Sequence, residues 1–178
     1  MMQFLKRFSR KTGGNAAIEF ALLSPALLAT FFGVSEVTNY VLAARKIANA
    51  ASTAADLVSQ DTSVSNAEMT EILNSLDVII RPFDATNAKI IISQIEADSN
   101  GQRKISWSDA RHTAPRTAGA PAPSFVPADI VPNDQGVIMA EISFTYQTLF
   151  GMYLRNGMTV SDTFYLKPRR STKVARVS

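Results

Sequence analysis

The sequence contains no cysteine and only one histidine among its 178 residues. Without cysteine, neither a disulfide framework nor a thiolate metal site can form, so an exported domain of this chain has to be held together by packing alone. The histidine, His112, stands beside Arg111 in a proline-rich stretch. A solvated loop side chain is favoured there over a catalytic base, and there is no second histidine for a metal cluster.

Motifs of enzyme active sites are also missing. No Gly-x-Ser-x-Gly nucleophile elbow occurs. Gly13 and Gly14 precede an apolar run rather than a strand-to-helix turn, so they do not form a phosphate loop. Asp56 and Asp61 have no oxygen-rich loop between them of the kind that binds calcium. The sequence therefore predicts that the protein is not an enzyme and has no metal and no cofactor.

Positive charge is concentrated at the two ends of the chain. There are 18 Lys and Arg against 15 Asp and Glu, a formal net charge of +3. A basic cluster precedes the apolar run, and a basic C-terminal tail closes the sequence. Their members are Lys6, Arg7, Arg10 and Lys11, and then Lys167, Arg169, Arg170, Lys173 and Arg176. The middle of the chain is acidic and lacks the clustered basic face of a nucleic-acid-binding domain, so no nucleic-acid partner is predicted.

An apolar run follows the first basic cluster. Residues 16–35 carry a single charge, Glu19, and their length suits a membrane-spanning helix. The lipid bilayer is therefore an expected partner, and the preceding cations place the N-terminus in the cytoplasm. A carboxylate within a membrane helix costs about 3 kcal/mol on insertion scales. Either Glu19 is shallow enough to reach the interface, or it neutralises an ammonium created at Asn15 by cleavage after Gly14.

The residues around this point resemble a known signal. Gly14, then Asn15-Ala16-Ala17-Ile18, then Glu19-Phe20 resembles the type IV prepilin signal of the Tad (Flp-type) branch, with Phe20 where the major pilins carry tyrosine. The wider string from Gly13 to Pro25 resembles the N-terminus of TadE-like pseudopilins, which keep a proline about six residues after the glutamate. The specific likeness covers residues 7–60.

This resemblance implies a function and a set of partners. The chain would be a TadE-like minor pilin (pseudopilin) that supports assembly of a Tad/Flp-type pilus for surface adhesion. A prepilin peptidase would cleave between Gly14 and Asn15, and Glu19 would pair with the new amine or with that of a neighbour. Other implied partners are minor and major pilins and the inner-membrane assembly platform. The implied location is the bacterial inner membrane with a periplasmic head. Entry into the filament, and TadE versus TadF versus a short TadG-like identity, stay open.

Two other functions remain as alternatives. One is an uncleaved single-pass scaffold of an envelope complex, against which the spacing of Gly14, Glu19 and Phe20 argues. The other is a secreted binding module, for which Ala48-Asn49-Ala50 supplies a small-x-small triplet that lies well past a plausible signal-peptide core. A membrane-bound enzyme ranks last.

The predicted organisation is a leader at 1–14, a long helix at 15–60 that spans the membrane over about 16–35, and a periplasmic head at 61–178. Pro25 should kink the helix. An amphipathic stripe follows the span and contains Ala44, Ala48, Ala51 and Ala55. This stripe either docks the helix onto its own head or packs against neighbouring subunits, and both can hold at different positions.

The head is predicted to be α+β, with one helix packed on a mainly antiparallel sheet of about four strands, as in pilin-like proteins. A capping box at Ser65 and Glu68 begins the helix, which ends before Pro82. Strands are expected at 89–95, 104–108, 137–148 and 158–166, with a connection at 149–156, and Trp107 should share a face with Ile105. Alternation in the third strand indicates a sheet with one buried side.

Two stretches of the head each have two interpretations. Residues 109–136 hold five of the eight prolines and are predicted to form an irregular surface loop, with a partner-binding segment as the alternative. Lys167-Pro168-Arg169 resembles the Arg-Pro-Arg ending common in TadE-like proteins, and a solvated tail is the other interpretation.

Overall fold

The computed structural model describes residues 14–148 and 157–177. The chain divides into two compact units, Met1–Asn39 and Tyr40–Ser178. Of the predicted leader, residues 1–13 lie outside the described residues, and so does the predicted connection at 149–156.

The first unit is described from Gly14 onwards and consists mainly of helix. Helix α1 extends over Asn15–Ser59, and its residues 15–39 belong to this unit. At 1.5 Å per residue, residues 15–39 measure about 37 Å, which exceeds the hydrocarbon thickness of a bilayer. The helix continues through Pro25.

The second unit begins with the remainder of α1 and continues into a short helix. After strand β1 (Ser63–Val64), helix α2 spans Asn66–Ile80. Its predicted capping box is confirmed: Ser65 Oγ accepts from the Glu68 amide at 3.3 Å, and the Ser65 amide donates to Glu68 Oε2 at 2.7 Å. The helix ends at Ile80, two residues before Pro82, because the residue before a proline resists the helical region.

Within the described residues, five further strands follow α2. They are β2 (Ala88–Ala97), β3 (Arg103–Arg111), β4 (Gly136–Tyr146), β5 (Met158–Leu166) and β6 (Ala175–Arg176). Four of them form one antiparallel sheet in the order β3-β2-β4-β5, and β6 pairs in parallel with β1. The predicted α+β class, with a long apolar helix followed by a head containing a helix and a four-stranded antiparallel sheet, is confirmed.

One face of the sheet carries the main core. Alternate residues of β4 point to this face as predicted, and they meet buried residues of α2 and of the second half of α1. Both helices therefore cover the sheet: α2 as predicted, and the second half of α1 in agreement with the self-docking alternative. The β4 members are Ile138, Ala140, Ile142, Phe144 and Tyr146.

The prediction that Trp107 shares a face with Ile105 is wrong. Trp107 lies opposite Gln94 and Ile105 lies opposite Ile95, so a β-bulge at this point leaves Ser106 without a paired residue on β2. Because one residue is inserted, Trp107 joins the main core and Ile105 joins a second core on the opposite face.

The second face of the sheet is also covered, which the alternation in β4 did not predict. Val126 and Val131 from the proline-rich loop pack there with Ile105 and Met139, which is fully buried. Between β3 and β4 the loop is irregular as predicted, apart from a single turn of 3-10 helix at Ala128–Ile130. The prediction of a loop over 109–136 is wrong at its ends, because residues 109–111 belong to β3 and Gly136 belongs to β4. It follows the edge of β3, where the Ile105 amide donates to the Ala120 carbonyl and the Gly119 amide donates to the Ile105 carbonyl.

Candidate functional site

The predicted processing point lies at the beginning of α1. Asn15 is the first residue of the helix, and Gly14, immediately before it, is exposed. A Cβ atom added at Gly14 would meet nothing within 4 Å. The fold of this chain therefore does not itself require glycine here. Any requirement for a small residue would come from a protease that cleaves the Gly14–Asn15 bond.

Glu19 lies one helical turn after Asn15. Residues four apart lie on the same face of a helix, and helical side chains are tilted toward the N-terminus. The Glu19 side chain is therefore directed toward Asn15. Both residues are exposed, as is Phe20 at 67%. The structure thus brings the predicted amine-bearing and acidic positions together on α1. Their pairing after cleavage stays a prediction.

The hydrogen bonds around Pro25 explain how the helix passes through a proline. Proline has no amide hydrogen, so it leaves the carbonyl of Ala21 without its usual partner four residues on. The Ser24 hydroxyl donates to that carbonyl at 3.2 Å. Thr30 and Thr38 likewise donate to carbonyls within α1, at 2.9 and 2.8 Å. Internal pairing of this kind is what a segment without access to water requires.

Large apolar side chains cover the first half of α1 and are exposed. The helix contains a window that is long and apolar enough to cross a membrane, and none of that window is buried within the protein. Leu22 is 79% exposed and Ile18 is 68% exposed, unlike the core residues of a soluble helix. An apolar surface of this extent needs a nonaqueous or protein environment.

The alanine-rich half of α1 docks on its own head. Ala51 and Ala55 from the predicted stripe are fully buried, while Ala44 and Ala48 are half-buried. The face is centred differently from the prediction, because Ala43, Ala50 and Ala54 are also buried in the main core. Small side chains let the helix axis approach the sheet closely. The self-docking alternative therefore describes this part of the helix.

The C-terminal basic segment is a docked element, which the sequence did not reveal. We name residues 167–177 the C-terminal strap. The Arg169 amide donates to the carbonyl of Ser59, the last residue of α1, at 2.9 Å. The Gly136 amide donates to the Thr172 carbonyl at 2.9 Å. The strap therefore bonds to both the end of α1 and the start of β4, and the solvated-tail interpretation is wrong for these residues.

Buried contacts fix the middle of the strap. Trp107 Nε1 donates to the Val174 carbonyl at 2.8 Å, and the Val174 amide donates to Gln94 Oε1 at 2.6 Å. Val174 and Gln94 are 0% and 1% exposed. Because buried polar groups are costly without partners, these bonds make the strap part of the core.

Four cations of the strap form ion pairs with acidic residues from elsewhere in the head. The pairs are Arg169 with Asp56, Arg170 with Asp61, Lys173 with Glu96, and Arg176 with Asp109. The hydrogen bonds that Arg176 donates to the Asp109 carboxylate raise the pKa of Arg176, against the opposing effect of burial. Burial raises the pKa of Glu96, but hydrogen bonds from Lys173, Ser106 and Gln94 outweigh it and lower that pKa overall. In the sequence, the only signal for these ion pairs was that basic residues accumulate near the C-terminus after an acidic middle region.

The lone histidine has a structural contact. His112 Nδ1 lies 2.9 Å from the Ala88 carbonyl, so Nδ1 carries the hydrogen and donates it. His112 also adopts a φ of 56°, in the left-handed region. Within residues 14–148 and 157–177, no group of three or more His, Cys, Asp or Glu side chains is arranged to hold a metal ion.

Comparison with known protein families points to the first third of the chain. Residues 14–56 match the family model described as TadE-like protein. This segment is TadE-like. The resemblance predicted from the prepilin-type residues is thereby confirmed, and the match begins at Gly14, the residue before α1. No curated protein and no solved structure matches the chain. The TadE-like segment and its apolar helix indicate a membrane-anchored protein associated with a Tad pilus.

Proposed function

We propose that this protein is a minor pilin, or pseudopilin, that supports assembly of a Tad/Flp-type pilus used for surface adhesion. One observation carries the proposal: the TadE-like match begins at Gly14, immediately before an exposed apolar helix that begins at Asn15. The start of the match and the start of the helix both coincide with the predicted prepilin-type cleavage point.

In this proposal, a prepilin peptidase cleaves the Gly14–Asn15 bond on the cytoplasmic side of the inner membrane. Cleavage leaves an ammonium at the positive end of the α1 dipole, where a cation is unfavourable. Glu19, one turn further on, supplies the compensating negative charge to this amine or to that of a neighbouring subunit. Neutralisation lowers the cost of keeping both charges in an apolar environment.

The remaining parts follow from the same proposal. The exposed apolar half of α1 lies in the bilayer until assembly, and the head, from Tyr40 onwards, lies in the periplasm. Other minor and major pilins and the inner-membrane assembly platform are the partners. The protein itself is not an enzyme in this proposal. The site that matters is the TadE-like segment and its processing point.

The first experiment is to measure the intact mass and the N-terminal sequence of the protein extracted from membranes. We expect a chain that begins at Asn15 and remains in the membrane fraction. A matched Gly14→Val variant should keep its leader, because the branched side chain blocks a protease that needs a small residue beside the scissile bond. The space around Gly14 means that the fold tolerates this change.

The same measurement separates the alternatives. A wild-type chain that keeps its leader in the membrane would contradict the pilin proposal and favour the uncleaved scaffold. A soluble chain that begins near Ala51 would identify a secreted module and would also contradict the proposal.

A further inference from the structure

We propose that the outer edge of β5 binds an extended segment of a partner protein, and that this segment carries a lysine or arginine opposite Asp162. The segment joins the sheet as a fifth strand next to β5. All the residues that carry this inference lie in the second compact unit. The inference therefore depends neither on cleavage after Gly14 nor on the membrane span.

Strand β5, Met158–Leu166, is the last strand of the sheet, and its outer side has no neighbouring strand among the described residues. The opposite edge of the sheet differs, because β3 bonds there to the proline-rich loop: the Ile105 amide donates to the Ala120 carbonyl. A strand edge with unpaired amides and carbonyls can bind an extended segment through main-chain hydrogen bonds. The edge of β5 is therefore the candidate binding surface.

The register of β4 shows which amides of β5 point outward. The Ala97 amide, at the end of β2, donates to the Gln135 carbonyl, so odd-numbered residues of this stretch bond toward β2 and even-numbered residues bond toward β5. Even-numbered residues of β4 pair with even-numbered residues of β5, as Ile142 does with Asp162. The amides of the odd-numbered residues of β5 therefore point away from the sheet. These residues are Thr159, Ser161, Thr163 and Tyr165.

One of these outward amides is occupied by a side chain of β5 itself. The Thr163 amide donates to Asp162 Oδ1 at 2.8 Å, which agrees with its direction away from β4. Within residues 14–148 and 157–177, the amides of Thr159, Ser161 and Tyr165 form no hydrogen bond outside the sheet. An incoming strand offers carbonyls to all four amides. When such a carbonyl accepts from Thr163, the Asp162 carboxylate is released to pair with a cation.

The charge of Asp162 favours a basic partner over a second copy of this chain. Asp162 is the only charged residue of β5 and forms no salt bridge among the described residues. Lys89 lines the same hollow, which also contains Glu141, but two strand spacings, about 9–10 Å, separate β2 from β5. Antiparallel pairing of two β5 strands over their full length would place Asp162 opposite Asp162. Like charges directly opposite are destabilising, whereas opposite charges stabilise the pair.

The residues on either side of Asp162 add an apolar requirement. Val160, Asp162 and Phe164 lie on one face of β5, because residues two apart in a strand share a face. Val160 belongs to the main core, whereas Phe164 is 38% exposed. A partner strand with apolar side chains two residues before and after its cation would cover the exposed part of Phe164.

The test uses two labelled peptides and the full chain in detergent. The lysine peptide is a copy of residues 158–166 in which lysine replaces the residue that corresponds to Asp162, and the control is the unmodified copy. Antiparallel pairing over the full length places this lysine opposite Asp162. Fluorescence anisotropy measures binding. We expect the lysine peptide to bind roughly fivefold more tightly than the control at low salt, because a cross-strand charge pair contributes up to that factor, and the preference should shrink at high salt.

Variants of the protein and of the peptide locate the contact. Asp162→Lys should reverse the preference between the two peptides. Ser161→Pro should abolish binding, because it removes an outward amide without removing a bond to β4, and Ser161→Ala is the matched control that should bind normally. N-methylation of the lysine peptide should abolish binding at the position that corresponds to Thr163, where the amide faces β5, but not at the next position. This last comparison does not depend on the folding of any variant.

Each other outcome overturns a defined part of the inference. Absence of binding by the lysine peptide up to millimolar concentration, or binding that ignores N-methylation, would overturn pairing along the edge of β5. Equal binding of the two peptides, or a preference that Asp162→Lys leaves unchanged, would overturn the role of the cation. Tighter binding of the unmodified copy would identify a second copy of this chain as the occupant and would also overturn the proposal. None of these results bears on cleavage after Gly14, which the N-terminal sequence tests separately.

Discussion

Glu19 is the residue whose presence in an apolar helix most needs a reason. If its carboxylate neutralises the mature N-terminus during assembly, Glu19→Ala should leave cleavage after Gly14 largely intact while attachment of cells to surfaces falls to background. The physical reason is that the ammonium at Asn15 would then lack its partner one turn away. Mass measurement of the membrane protein and a surface-attachment assay would report the two effects separately.

A Glu71→Ala variant provides the control, because Glu71 is an exposed residue of α2. It should change neither cleavage nor attachment. Normal attachment by cells that carry Glu19→Ala would rule out the pairing role and support a shallow, interfacial Glu19.

Glu96 should make the stability of the head depend on pH. Its pKa in the folded protein is lowered from an ordinary 4.5. A lowered pKa stabilises the fold above the unfolded value, and this contribution is lost as the pH falls through the folded pKa. Glu96→Gln should therefore reduce the free energy of unfolding at pH 7 by about 1 kcal/mol or less, since the partly exposed Lys173 pair is screened by solvent. The difference from wild type should shrink as the pH falls below 4.5 and through the lowered folded pKa.

Denaturant unfolding of the full chain in detergent, followed by the fluorescence of Trp107, measures this effect at each pH. Glu71→Gln is the matched control and should follow the wild-type profile, since Glu71 is exposed. A loss of stability for Glu96→Gln that stays the same from pH 7 down to the most acidic pH at which the head is folded would show that ionisation of Glu96 is not the cause.

At the scale of elements, the second half of α1 is fitted closely to the sheet. Ala54 is fully buried in the main core, so Ala54→Leu should lower the free energy of unfolding by about 1–3 kcal/mol through overpacking. Asn49→Leu, at an exposed position of the same helix, should have little effect. Unfolding in detergent measures both, and an unchanged stability of Ala54→Leu would contradict the docking of this helix face on its own head.

Local sequence signals predicted the helices and strands well, because the start of a helix and the alternation of a strand each depend on a few neighbouring residues. The Ser65–Glu68 capping box placed the start of α2 correctly, and alternation in β4 identified the residues that face the helices. The prediction of the sheet face on which Trp107 lies was wrong because no residue near Ser106 in the sequence indicates that Ser106 is inserted as a β-bulge. Coverage of the second face by Val126 and Val131 likewise depends on contacts between distant parts of the chain.

The prepilin-type site was recognisable for the same reason. Gly14, Asn15, Glu19 and Phe20 occupy one short stretch, and their spacing alone carries the resemblance. The strap escaped prediction because its partners are remote: Val174 meets Gln94 and Trp107, and Arg176 meets Asp109. Composition indicated that cations and carboxylates are separated along the chain, but only the fold shows which of them meet.

At the scale of the whole head, the strap links parts of the chain that are distant in sequence, as a disulfide does in many exported domains. It bonds to Ser59 at the end of α1, and β6 pairs with β1 beyond that end. It also closes over Trp107. A chain shortened to end at Leu166 loses these bonds and leaves the buried Gln94 side chain without the Val174 amide. The shortened chain also lacks Val174, which is fully buried in the main core, and burial of a valine side chain contributes about 1.5–3 kcal/mol, a large part of the stability of a small domain.

We therefore expect the shortened chain to show red-shifted emission from Trp107, because its indole is 7% exposed only while the strap covers it. Its unfolding should also lose cooperativity. Lys167→Gln is the control, since Lys167 is exposed and forms no salt bridge among the described residues, and its emission and unfolding should match those of the wild type. Unchanged emission and unfolding of the shortened chain would mean that α1, α2 and the sheet hold the head together without the strap.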